Sequence, residues 1–199
     1  MQFTEALNGC REKVAERWIA LVARTYPEKR SQDFFLNEKD PFGNPVGHII
    51  RTSLPEVLSL LVEGGSEEKL AGQLDPLIRL RAVQEFTARE AVLFVFQLKD
   101  LVREALKKEA KNIRGYEEAQ YLFDKKVDEL ALLAFHIYMG CREQIWSFKS
   151  RHVMERTVNL LEKANLISEA ESLGLDILPQ RVYRKMKKNA EEKKDVPTQ

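Results

Sequence analysis

The chain has 199 residues, enough for one ordinary domain with a single core. Its 32 basic and 31 acidic side chains leave a formal net charge of +1, without the large positive excess of a dedicated nucleic-acid binder. Nine glycines and seven prolines are few for a β-rich protein, so the composition favours an all-α fold.

Apolar residues at steps of three and four predict an N-terminal helix from Phe3 to Val22, because this spacing places them on one face. Tyr26-Pro27 should end this helix, since proline lacks the amide donor that a helix interior needs. A short helical turn is expected over residues 31–36.

The segment NEKDPFGNPVG, residues 37–47, contains two prolines and two glycines and is predicted to be a shaped loop. We expect Asp40 to cap a turn, Phe42 to insert into the core, and Asn44 with Pro45 to begin the next helix. The alternative is functional: the loop forms the mouth of a pocket or a docking surface for another protein, with His48 as a second pocket group.

Further helices follow this loop. The first should end at the glycine pair 64–65, with Pro55 kinking it or starting a fresh segment. A short helix is expected over residues 66–72, and Asp75-Pro76 is predicted to open another. Thr87-Ala-Arg-Glu90 has the form of a capping box, which predicts a helix start at this point.

The last helix is predicted to be the longest. It begins near Tyr116 and continues to about Ala164, more than a compact domain of this size buries, so its end should extend from the core. Its final turns carry a doubled apolar stripe, which we expect to pair with a second copy or with a signalling partner through Met154, Val158 and Leu161.

The sequence contains no glycine-rich phosphate loop and no HExxH motif, so we predict no catalytic residues and no enzyme. Cys10 and Cys141 match no metal-ligand spacing, and free thiols in a reducing cytoplasm are favoured over a disulfide between them. We expect a cytoplasmic protein without membrane insertion, because no secretory signal is visible and the most apolar stretch, 130–141, is too short to span a bilayer.

His136 lies in the most apolar part of the long helix. If it faces the bundle interior, its imidazole could ligate haem iron. The commoner situation is a core or boundary histidine hydrogen-bonded to a neighbour. We therefore expect no cofactor, with haem as the alternative.

Four segments resemble one known family. They are KVAERWIALVARTYP, DPFGNPVGHIIRTSLPEVLSLL, RAVQEFTAREAVLFVFQLK and HIYMGCREQIWSFKSRHVMERTVNLLEKAN. Together they make the chain similar to the N-terminal domain of the RsbT co-antagonist RsbRD, a family of stressosome-type sensor domains. The resemblance covers roughly residues 1 to 165.

This resemblance implies a globin-like helical bundle over residues 1–165, used as a non-catalytic sensory or docking module and usually dimeric. Residues 166–199 would then be short helices and a basic, partly flexible tail, too short for the phosphorylatable output domain of full-length co-antagonists. We expect the chain to act by binding a protein partner in a signalling assembly. The alternative is a globin-type sensor that holds haem or a small apolar ligand in its helical core.

Overall fold

A computed structural model describes residues 1–26, 29–37 and 40–163. Within these ranges every regular element is helical. The α-helices are α1 (Phe3–Ala23), α2 (Lys29–Asn37), α3 (Pro45–Glu63), α4 (Glu67–Val83), α5 (Ala88–Leu106) and α6 (Tyr116–Lys163), and a short 3-10 helix (Ala110–Asn112) precedes α6. The prediction of an all-α bundle with a long last helix is confirmed.

The chain divides into two compact units, residues 1–142 and residues 143–199. The first unit contains α1 to α5 and α6 as far as Arg142. Only residues 143–163 of the second unit are described, and they are helical. The predicted tail, residues 166–199, lies outside the described residues, and the predicted domain boundary at residue 165 stays a prediction.

The core of the first unit forms where α1 packs against α3 and α5, and α3 against α4. Trp18 of α1 is fully buried, and its indole nitrogen donates a hydrogen bond of 2.8 Å to the carbonyl oxygen of Phe94 in α5. The two rings lie 5.9 Å apart. Phe3 brings α6 to α1, because its ring lies 6.0 Å from that of Phe123.

The helix starts that the sequence predicts are confirmed where the signal is local. At α5, the Thr87 hydroxyl accepts from the backbone N–H of Glu90, and the Glu90 carboxylate accepts from the backbone N–H of Thr87. Asn44 caps α3, and Gly64 ends it with a φ of 79°, the left-handed conformation that favours glycine.

The prediction that Asp75-Pro76 begins a new helix is wrong. Helix α4 runs unbroken from Glu67 to Val83 with Pro76 inside it. Leu74, Leu77 and Ile78 are fully buried on both sides of the proline. Packing of these residues outweighs the hydrogen bond that proline removes. Helix α3 likewise continues through Pro55.

Arg81 is a cation in the core. It is fully buried on α4, and its guanidinium donates to the Glu90 carbonyl oxygen at 2.9 Å and to the Thr25 hydroxyl at 2.7 Å. Among the described residues no carboxylate forms an ion pair with it, and its Nε has no hydrogen-bond partner.

Three aromatic rings surround this guanidinium. Its central carbon lies 4.9 Å from the ring centre of Phe94, 5.0 Å from that of Phe86 and 5.9 Å from that of Tyr26. The negative faces of aromatic rings attract cations. Desolvation by burial lowers the pKa of Arg81 to about 10, so the side chain stays charged at neutral pH.

The corner between α4 and α5 is held by two side chains of α6. Glu85 in this corner has a φ of 64°, which is uncommon for a residue other than glycine. The hydroxyl of Tyr138 donates to the Phe86 carbonyl oxygen at 2.7 Å, and the guanidinium of Arg142 donates to the Ala82 carbonyl oxygen at 3.2 Å. These bonds satisfy two carbonyl groups at the end of α4 and just beyond it.

Candidate functional site

The loop over residues 40–47 is fixed by side chains at both ends. The Asp40 carboxylate accepts hydrogen bonds from the backbone N–H groups of Phe42 (3.2 Å) and Gly43 (2.9 Å). Asn44 is fully buried; its Oδ1 accepts from the Gly47 N–H at 2.8 Å, and its Nδ2 donates to the Phe34 carbonyl oxygen at 3.0 Å. The capping roles predicted for Asp40 and Asn44 are therefore observed.

The prediction that Phe42 inserts into the core is wrong, because this side chain is 95% exposed. Asn44 takes the buried position, and the turn formed by Asp40 carries Phe42 outward into solvent. Pro45 and His48 are also exposed. The loop thus presents four of the five candidate residues on the surface, and their role in docking stays a prediction.

His136 lies on the surface of α6 and not in the bundle interior, where the haem alternative had placed it. It lines an open cleft of about 500 Å³ in the first unit. The apolar walls of this cleft are Leu60, Leu61, Leu70, Leu130, Leu132 and Leu133. Lys126 lies in the same cleft, where its ammonium group donates to the Leu61 carbonyl oxygen at 3.3 Å.

The described part of the second unit exposes a row of large apolar side chains. Trp146, Val153 and Leu160 are 65%, 63% and 67% exposed, respectively. They follow one another at intervals of seven residues, which places them along one side of the helix. We call these three residues the exposed row. Phe148, which is not part of the row, is 70% exposed.

The three residues predicted for partner binding lie beside this row. Val158 is buried, and Met154 and Leu161 are half-buried. In the doubled stripe the apolar pairs 153/154 and 160/161 offer two neighbouring faces, and the pattern alone does not say which one is exposed. The seven-residue spacing from Trp146 to Leu160 marks one of these faces, and the exposed fractions show that this face is open to solvent.

The two cysteines are free thiols in the structure, Cys10 half-buried and Cys141 buried. Burial and the nearby carboxylate of Glu109 raise the pKa of the Cys10 thiol.

Among the described residues, no three His, Cys, Asp or Glu side chains are grouped to hold a metal ion. In the same residues, none of the helices combines the length and apolar character required to cross a membrane.

Comparison with protein families identifies the family of this chain. Residues 12–153 match the family described as the RsbT co-antagonist protein RsbRD N-terminal domain. The chain belongs to this family. No curated protein and no solved structure matches this chain.

RsbRD N-terminal domains are stressosome-type regulatory sensor domains. The family match reaches past Arg142, where the first unit ends, and includes Trp146 and Val153 of the exposed row. The RsbRD N-terminal region of this chain therefore contains both the loop with Phe42 and most of the exposed row.

Proposed function

We propose that this chain is a non-catalytic regulatory module of a cytoplasmic signalling assembly, and that it acts by protein–protein interaction as a homodimer. Membership of the RsbRD N-terminal family supports the regulatory role. The exposed row supports the interaction, since contiguous exposed apolar surface marks a binding site in soluble proteins.

The spacing of the exposed row favours a helix of a second copy as the partner. Apolar residues repeated every seven positions are typical of paired helices, whose side chains interlock along one seam. Ser150 and Thr157 are exposed, and each lies about one turn from a residue of the row. Their small side chains allow the backbone of a second helix to approach closely.

The test is the Leu160→Asp variant of the full chain. A carboxylate in the seam must be desolvated when two helices meet, so we expect this variant to dimerise at least tenfold more weakly, which corresponds to about 1.4 kcal/mol. Size-exclusion chromatography with light scattering measures the mass, and far-UV circular dichroism verifies the helical content. Leu160 is preferable to half-buried Leu161, whose substitution would also disturb packing.

Asn159→Asp is the matched control, because it adds the same charge about 100° around the helix from Leu160. The proposal requires a dimeric wild type and a dimeric Asn159→Asp variant. A monomeric wild type, or equal masses for wild type and Leu160→Asp, contradicts pairing through the exposed row.

The cleft around His136 favours a second candidate function, a sensor for haem or for a small apolar ligand. An imidazole beside six leucine side chains fits the donor set and the apolar walls that haem needs. Purified protein incubated with hemin should then show a Soret band that is lost in His136→Ala. An unchanged hemin spectrum in the presence of the protein would rule out the haem version.

A further inference from the structure

A second cleft in the first unit lies between α1 and α5. Its volume is about 440 Å³, within the range of small-molecule sites. Leu21, Leu93 and Leu101 form its apolar walls. Leu93 is 40% exposed, which makes it a large apolar side chain left open to solvent.

The two ends of this cleft differ in charge. At one end Arg17 forms an ion pair with Glu104, so its charge is compensated. At the other end lie Arg24 and Thr25, and the Thr25 hydroxyl accepts from the buried guanidinium of Arg81. In the part of the chain that the structure describes, neither Arg24 nor Arg81 forms an ion pair. Of the two arginines that line the cleft, only Arg24 is therefore without an ion-pair partner, and its charge favours an anion at the second end.

Gln97 adds a polar group between the two ends. It lines the cleft, and its Oε1 is buried without a hydrogen-bond partner. A buried acceptor without a partner destabilises the folded protein, so a donor that reaches this oxygen is favoured. Rotation about the last side-chain bond, a soft torsion, would turn this oxygen toward a donor in the cleft. Gln97 lies one helical turn, about 6 Å, from Leu93 at the cationic end.

We propose that this cleft binds a small organic anion with an apolar body and a hydroxyl group, such as a hydroxylated aromatic acid. The carboxylate pairs with Arg24, the ring contacts the three leucines, and the hydroxyl donates to Gln97. This site would give the module a chemical signal to sense, and its binding can be measured whether or not the chain dimerises.

The probe is 3-hydroxybenzoate, in which one ring separates the carboxylate from the hydroxyl. Isothermal titration calorimetry on the full chain gives the dissociation constant, and NMR shifts of the amides in residues 20–25 and 93–101 locate the site. We expect Arg24→Gln to raise the dissociation constant about tenfold, since it removes a charge-assisted bond. Arg114→Gln is the matched control, because Arg114 is also exposed but does not line the cleft.

Benzoate, which lacks the hydroxyl, should bind about fivefold more weakly than 3-hydroxybenzoate. This difference should disappear in Gln97→Leu, because that variant has no acceptor for the hydroxyl. The uncharged analogue 3-hydroxybenzyl alcohol should bind weakly to all variants. Absence of saturable binding up to about 10 mM would overturn the proposal, since weaker affinities are below those of specific sites. Binding that Arg24→Gln leaves unchanged would overturn it equally.

Discussion

Arg81 shows how one buried charge can organise a core. Its guanidinium connects α4 to α5 through the Glu90 carbonyl oxygen and to the turn after α1 through the Thr25 hydroxyl. The ring of Phe94 supplies a negative face in place of a carboxylate. Sequence periodicity could not predict this role, because an arginine in an amphipathic helix is ordinarily assigned to the solvent side.

Arg81→Ala should lower the free energy of unfolding by about 3 kcal/mol or more, because it leaves a cavity and removes the donors for Thr25 and Glu90. Arg79→Ala, two positions earlier on α4, should have a much smaller effect, since Arg79 is exposed and pairs with Asp75 on the surface. Urea denaturation followed by circular dichroism compares the two variants. Equal losses of stability would show that Arg81 does not support the core.

At the scale of elements, the start of α3 depends on a close approach between two backbones. Gly47 lies so near the end of α2 that a Cβ at this position would be 2.5 Å from the Phe35 carbonyl oxygen. A side chain there requires the backbone to move. The same close approach lets the buried Asn44 amide reach the Phe34 carbonyl oxygen.

Asn44→Ala should therefore destabilise the protein by about 1–2 kcal/mol, because it removes the cap of α3 and leaves buried backbone groups without partners. Phe42→Ala in the same loop should change the stability by less than about 0.5 kcal/mol, since the ring is 95% exposed. Thermal unfolding measures the stability of both variants relative to the wild type. A larger loss in Phe42→Ala than in Asn44→Ala would contradict the observed arrangement of the loop.

These elements also show what local sequence can predict. The caps at Thr87 and Asn44 are correct predictions, because each depends on residues within one turn. The break expected at Pro76 is absent, since buried residues on both sides of the proline keep α4 together. Local signals predict a helix start well, and tertiary packing decides whether a local breaker acts.

At the scale of the whole molecule, the all-α class and the length of α6 follow from composition and periodicity. The orientation of particular side chains does not. The sequence predicts Phe42 in the core because it is aromatic, and the haem alternative places His136 in the interior because it lies in an apolar stretch. Both side chains are exposed. Periodicity defines a helix face, but only the packing of neighbouring helices determines how much of that face they cover. The cleft between α1 and α5 could not be predicted from the sequence for the same reason.

The bonds from α6 to the α4–α5 corner restrict how that helix can move in the first unit. Tyr138 and Arg142 are four residues apart. They donate hydrogen bonds to two carbonyl oxygens that are also four residues apart, those of Phe86 and Ala82. A slide of α6 along its own axis by one turn, about 5.4 Å, would break both bonds together. The corner therefore limits movement of α6 along its own axis, because such movement must first break these two hydrogen bonds.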